Sequence, residues 1–320
     1  MLPLFVRLPR LAHTLPHVDL GVRETPVEEW RVGDVALLAK RDDLSAPALG
    51  GNKVRALEFL LADLKSGCEL LTVGPIGSTH ALAVAHHGAQ LGALTSVITW
   101  PQEMHDVARA TRERLAALAS VTRALTPVDA YARVALRRMQ SRVRWIPAGG
   151  SSPLGAVGHV NAALELVAQC ARAKRAMPSA VVVPLGSGGT AAGVLAGFAL
   201  AGVTTRVIGV RVVPRVLGNK WHVLRLARRT RALLATLSGE SLPTIDASRL
   251  AIVEDAYGGS YARETDAAIR AAALLRSSGG PRLDGTYSAK AFGAALSLAR
   301  AAGDGSVLFW LTFDARWMGA

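Results

Sequence analysis

The chain has 320 residues, half of them hydrophobic, with 37 lysines and arginines against 24 acidic residues and a formal net charge of +13. That composition excludes a disordered chain, and the length accommodates one large α/β domain or two smaller ones. Cys68 and Cys170 lie far apart with no partner at ligand spacing, which argues against a disulfide framework or a metal site and for a reduced, cytosolic setting.

The opening MLPLFVRLPRLAHTLP is broken by prolines and arginines and reads as no signal peptide. DVALLAKRDD contains a short strand, and KVRALEFLLADLKSG, from Lys53 to Gly67, has helical apolar spacing with a glycine stop. LLTVG (70–74) reads as a buried strand and residues 80–92 as a helix, in which His86 and His87 are structural. TSVIT is the next strand, followed by one long arginine-bearing helical stretch and then the strand RVRWIPAGG. GAVGHVNAALELVAQCARAK is a helix. AVVVPLG, TAAGVLAGFALAG and RVIGVRV form a strand–helix–strand unit, and VLFWLTFD is a late strand.

The longest apolar run, Ala191 to Val203, falls short of the roughly 20 residues a membrane span needs. In VLRLARRTRALLA the leucines Leu224, Leu226 and Leu233 sit at helical spacing among arginines, as on a solvated helix face. Basic residues are dispersed and no aromatic stripe accompanies them, so neither a membrane nor a nucleic-acid partner is expected. The alternation of strands and helices predicts a doubly wound α/β fold with mainly parallel sheets, in which ligands sit beyond the carboxyl ends of strands.

Four strand-to-helix turns carry candidate chemistry. Gly50-Gly51-Asn52-Lys53 places a lysine at a helix start. Such a lysine is usually solvated, but one kept partly neutral can bond a cofactor aldehyde. Gly186-Ser187-Gly188-Gly189-Thr190 can converge backbone N–H groups on an anion, or simply pack a strand tightly against a helix. It is neither a Walker A loop nor a dinucleotide fingerprint. Gly77-Ser78-Thr79-His80 suits a carboxylate, although Ser78 or Thr79 would also serve as an ordinary N-cap. Asp284-Gly285-Thr286-Tyr287-Ser288 precedes the helix AKAFGAALSLA.

Together, KRDDLSAPALGGNKVRALEFLLADLKSG, GPIGSTHALAVAHHGAQLG, PAGGSSPLGAVGHVNAALELVAQ, VVVPLGSGGTAAGVLAGFALAG and LDGTYSAKAFGAAL resemble the D-cysteine desulfhydrase and 1-aminocyclopropane-1-carboxylate deaminase family. These are tryptophan synthase β-like pyridoxal-phosphate enzymes, and the segments run in family order over nearly the whole chain. The resemblance implies pyridoxal 5'-phosphate in a cleft between two doubly wound α/β domains. The large domain would comprise residues 1–57 and 166–320 and the small one residues 58–165. It implies Lys53 as the Schiff-base lysine beside Asn52, and Gly186, Ser187, Gly188, Gly189 and Thr190 as the phosphate loop. Ser78, Thr79 and His80 would hold the substrate carboxylate, with Thr79 also near the cofactor ring. Tyr287 and Tyr257 would be active-site tyrosines, and Ser288 would face the pyridine nitrogen.

Three residues depart from the family pattern: Thr79 for asparagine, Ala289 for glycine before Lys290, and Asp314 for glycine in Thr312-Phe313-Asp314. The implied activity is β-elimination from a small amino acid such as D-cysteine, by a cytoplasmic homodimer. Aminocyclopropane carboxylate deamination, cysteate sulfo-lysis and a catalytically weakened cofactor-binding homologue are the alternatives.

Overall fold

The computed structural model describes residues 1–303 and 306–318. Its strands are β1 Val27–Val32, β2 Val35–Lys40, β3 Glu69–Pro75, β4 Leu94–Trp100, β5 Ser120–Arg123, β6 Val143–Trp145, β7 Ala180–Leu185, β8 Arg206–Arg211, β9 Leu250–Val253 and β10 Val307–Trp310. The helices are α1 Pro3–Arg7, α2 Leu11–Thr14, α3 Asn52–Leu60, α4 Thr79–Gln90, α5 Asp106–Leu118, α6 Pro127–Arg137, α7 Pro153–Arg172, α8 Gly189–Ala201, α9 Lys220–Ser238, α10 Asp266–Ser277 and α11 Ser288–Ala302. One sheet runs β1-β2-β10-β7-β8-β9 and the other β5-β4-β3-β6. Among the described residues every pairing between these strands is parallel except the β1–β2 hairpin. A parallel strand covered on both faces needs apolar residues throughout, and every residue of β7 is buried.

Two features differ from the sequence expectations. The helix expected to reach Gly67 ends at Leu60, and Asp63 takes a left-handed turn with φ 58°. Leu61 and Ala62 continue the apolar spacing because that turn also packs onto the core. The long arginine-bearing stretch is two helices separated by β5, an edge strand whose four residues are all exposed and so show no alternation. The N-terminal segment forms α1 and α2, which bury Leu4, Leu8, Leu11 and Leu15 in the large-sheet core. Residue 165, where the sequence reading ends the small domain, lies within α7. Val157, Val160, Ala162, Ala163, Leu164 and Leu166 of α7 join the same core as α8 and β7, so α7 packs with the six-stranded sheet.

The arginine-rich α9 is amphipathic as expected, with Val223, Leu224, Leu226 and Leu234 buried and Arg225, Arg228 and Arg229 exposed. His87 is buried in α4, with its Nδ1 3.0 Å from Gln90 Oε1. Among the described residues no helix is long and apolar enough to cross a membrane.

Candidate active site

Lys53 is the second residue of α3, held by a turn that only glycine fits comfortably. Gly51 has φ 89°, and a Cβ there would collide with the Thr312 carbonyl. The Gly51 N–H donates to Ser45 Oγ (2.8 Å) and the Asn52 N–H to Thr312 O (3.1 Å). Among the described residues the Lys53 ammonium has no hydrogen bond and no ion pair. Burial therefore lowers its pKa from 10.5 to about 8, with the Asp284 carboxylate opposing the shift.

The other buried cations on this side of the fold are engaged. Lys40 Nζ donates to Glu165, to Thr25 O (2.7 Å) and to Gln169 Oε1 (2.7 Å). Arg55, two residues beyond Lys53, grips Asp42 through Nε (2.9 Å) and Nη2 (2.7 Å), and Glu165 through Nη1 (3.1 Å) and Nη2 (3.2 Å). These groups bolt α3 to β2 and α7, which fixes where Lys53 stands.

The loop 186–190 lies beside this turn: Asn52 Nδ2 donates to Thr190 Oγ1 at 2.8 Å. Gly188 takes φ 86° at the start of the 13-residue α8, whose N-terminus presents unpaired N–H groups. Ser151 Oγ donates to Ser187 Oγ (2.6 Å) and accepts from the Gly189 N–H (3.1 Å). The His222 ring lies against the loop, with Nε2 3.3 Å from Ser187 O.

Ser78 caps α4, its Oγ accepting from the Ala81 N–H at 3.2 Å, while Thr79 opens that helix. His80 is buried, and its Nε2 lies 3.2 Å from Thr72 Oγ1. Burial, followed by the nearby Lys53 charge, pushes its pKa down to about 3, so His80 is a neutral ring at physiological pH.

The third wall is the start of α11. The Asp284 carboxylate accepts from the N–H groups of Tyr287 (2.7 Å) and Ser288 (3.0 Å). Ser288 is fully buried and its Oγ has no partner among the described residues. The Tyr287 ring lies along Gly186, where a Cβ would stand 3.1 Å from its Cε1.

The tyrosine brought against Tyr287 is Tyr261, not Tyr257: the two hydroxyls are 2.6 Å apart and the rings meet edge-on. Burial pushes Tyr261 up to about 12 and Tyr287 well above its ordinary value. Tyr257 instead lies beneath the Arg211 guanidinium, 5.7 Å from the ring centre, and its carbonyl accepts from Lys290 Nζ (2.8 Å).

Asp314 is tied to Gly50 and Arg316. Its Oδ2 accepts from the Gly50 N–H (3.0 Å) and from Arg316 Nη2 (2.9 Å), and its Oδ1 from Arg316 Nε (2.8 Å).

The profile of the family described as "Pyridoxal-phosphate dependent enzyme" matches residues 18–312. The chain belongs to that family. D-cysteine desulfhydrase of Salmonella choleraesuis (strain SC-B67) is 33% identical over 92% of this chain and 92% of its own. Nocardicin C-9' epimerase of Nocardia uniformis subsp. tsuyamanensis is 37% identical over 88% of this chain and 86% of its own. The crystal structure of an ACC deaminase homologue superposes with a TM-score of 0.78 at 26% identity, covering 98% of this chain and 95% of that one. The protein is thus a pyridoxal-phosphate-dependent enzyme of the D-cysteine desulfhydrase and ACC deaminase type, with the expected two-sheet fold.

The residues present fit the cofactor. A partnerless lysine near neutrality suits an aldehyde, an N–H cradle suits a phosphate, and an unpartnered buried hydroxyl suits a ring nitrogen. Sequence reading passed over Ser151, His222 and Tyr261. Ser151 had a local signal in Gly149-Gly150-Ser151-Ser152, whereas Tyr261 had none that set it above Tyr257.

Two outcomes are expected of cofactor binding. Only the neutral amine attacks an aldehyde, and the Lys53 amine is neutral above about pH 8. Incorporation of pyridoxal phosphate into cofactor-free protein should therefore quicken about ten-fold per pH unit up to that point and then level off. Stopped-flow absorbance checks this, and a rise continuing towards pH 10 would contradict it. Gly188→Val forces a side chain into a left-handed residue, 3.3 Å from His222 Cδ2. The strain costs about 1–2 kcal/mol, and cofactor affinity should fall about five- to thirty-fold in a fluorescence titration.

Proposed function

We infer that the protein catalyses β-elimination from a small β-substituted amino acid such as D-cysteine. With D-cysteine, one water is consumed and pyruvate, ammonia and hydrogen sulfide are released. The bound cofactor supplies an electron sink for the pair left when the α-proton is removed. On this reading Lys53 holds the cofactor and exchanges the α-proton, because its amine is partly neutral near physiological pH. The Gly186–Thr190 N–H groups bind the phosphate, and Ser78 with the α4 N-terminus binds the substrate carboxylate. Tyr287 stays protonated and donates towards the leaving group, supported by Tyr261.

The observation that carries the choice of reaction is Ser288. A carboxylate beside the ring nitrogen would hold it protonated and strengthen the sink that opening of a cyclopropane without an α-proton requires. Ser288 is neutral, and the buried carboxylates nearby are occupied: Asp284 by two backbone N–H groups, Asp314 by Arg316 and Gly50. Elimination asks less of the ring because the leaving group departs with the electron pair.

A second reading, inversion of an amino-acid centre, draws on the 37% identity to the nocardicin epimerase. The same proposal takes the protein as a cytoplasmic homodimer, and its free cysteines suit a reducing compartment. The test is keto-acid release from D-cysteine, L-cysteine and aminocyclopropane carboxylate by one preparation, with chiral analysis of the residual amino acid. Faster turnover of the cyclopropane substrate sinks the serine argument. Inverted amino acid without keto acid selects the second reading.

A further inference from the structure

Residues 101–105 join β4 to α5 and touch three of the segments that build the site. Gln102 packs on Gly77, where a Cβ would run into its Nε2. Glu103 Oε1 accepts from Ser260 Oγ (3.2 Å) and stands 3.9 Å from Arg263 Nε, on either side of Tyr261. His105 caps α5, its Nδ1 accepting from the Ala108 N–H at 3.4 Å. That leaves Nε2 as the donor to Thr286 Oγ1, at 3.1 Å, one residue before Tyr287.

In the loop they reach, the non-glycine Ala262 is held at a positive φ of 69°, just after Gly258 and Gly259 at 75° and 86°. Such a conformation persists only where its surroundings hold it, and part of that hold comes from the four-stranded domain through Glu103.

We propose that residues 101–105 form a strap that transmits the position of the four-stranded domain to the Tyr261–Tyr287 pair, with His105 as the positioning residue for Tyr287. The strap contacts are those of the resting fold. The kinetic consequence rests on the reading above, in which Tyr287 faces the leaving group.

Two substitutions separate this role from ordinary capping. His105→Asn keeps an acceptor at the cap position but cannot reach Thr286. His105→Gln gives up the cap and keeps a donor at the reach of Nε2. In the holoenzyme with D-cysteine, His105→Asn and Thr286→Val should lower kcat roughly three- to ten-fold with KM changed less than about two-fold. His105→Gln should stay within about two-fold of the parent kcat while melting at a lower temperature than His105→Asn.

Hydrogen–deuterium exchange in the resting holoenzyme should rise at residues 258–264 and 285–288 in His105→Asn and Thr286→Val. Unchanged exchange there, raised exchange with unchanged kcat, a loss confined to KM, or a His105→Asn enzyme as fast as the parent would each overturn the proposal. If the parent releases no keto acid from D-cysteine, the functional reading fails by itself, and the exchange result alone decides the strap.

Discussion

Lys53→Ala is expected to abolish turnover and the visible absorption of lysine-bound cofactor together, while the fold survives. Lys53 makes no hydrogen bond or ion pair among the described residues, so its truncation leaves no buried group unpaired. The other buried or half-buried lysines are poor substitutes, because Lys40 already has three acceptors and Lys290 holds the Tyr257 carbonyl. Loss of proton transfer at the α-carbon alone removes on the order of 10²–10⁴-fold in rate, and loss of the covalent attachment removes more. Absorbance spectra and single-turnover assays on one preparation measure both. Retained visible absorption in Lys53→Ala would show that another lysine carries the cofactor.

Arg55→Leu is expected to be the most destabilising single change in the network beneath the site. Arg55 is 1% exposed and shares its guanidinium between Asp42 and Glu165. Without it, two buried carboxylates face Lys40 alone. Breaking such a pair by removing one partner costs about 3–5 kcal/mol, because an uncompensated buried charge remains. Burial by itself would raise both carboxyl pKa values, but Arg55 and Lys40 outweigh it and hold them below their ordinary 3.8 and 4.5.

The sign of the pH dependence follows. A depressed carboxylate contributes stability that is full above its unfolded pKa and is lost as pH falls through the folded one. The parent should therefore lose this contribution in acid, and the gap between parent and Arg55→Leu should narrow below about pH 4. Urea denaturation at neutral and acid pH measures the gap. An equal gap at both would contradict the assignment of the effect to charge. Since α3 carries both residues, Arg55→Leu should also weaken cofactor retention.

How much of this was legible in the sequence depended on whether a residue's role was local. The buried parallel strands and the small-residue helix α8 announce themselves by composition, and the lysine turn and the glycine loop by their strand-before, helix-after context. The cluster of Lys40, Asp42, Arg55 and Glu165 could not be read this way. Each looks like a surface charge, and only the crossing of α3 by α7 buries them together. Tyr257 and Tyr261 flank an irregular glycine turn where no periodicity indicates which ring turns inward.

Asp314 stands where the family pattern has glycine, and the sequence did not show that Arg316, two residues on, takes up its charge. The apolar stripe Leu4, Leu8, Leu11 and Leu15 is interrupted by prolines and was not read as helical, yet all four leucines enter the large-sheet core.

The central claim is that Lys53, placed beside the Gly186–Thr190 loop through the Asn52–Thr190 hydrogen bond, holds the cofactor. Borohydride reduction of the holoenzyme followed by peptide mass spectrometry tests it most directly, since the chain has only six lysines to distinguish. The account predicts a single pyridoxyl label, on Lys53. A label on Lys40 or Lys290, or none on the peptide containing Gly51 to Arg55, would contradict it.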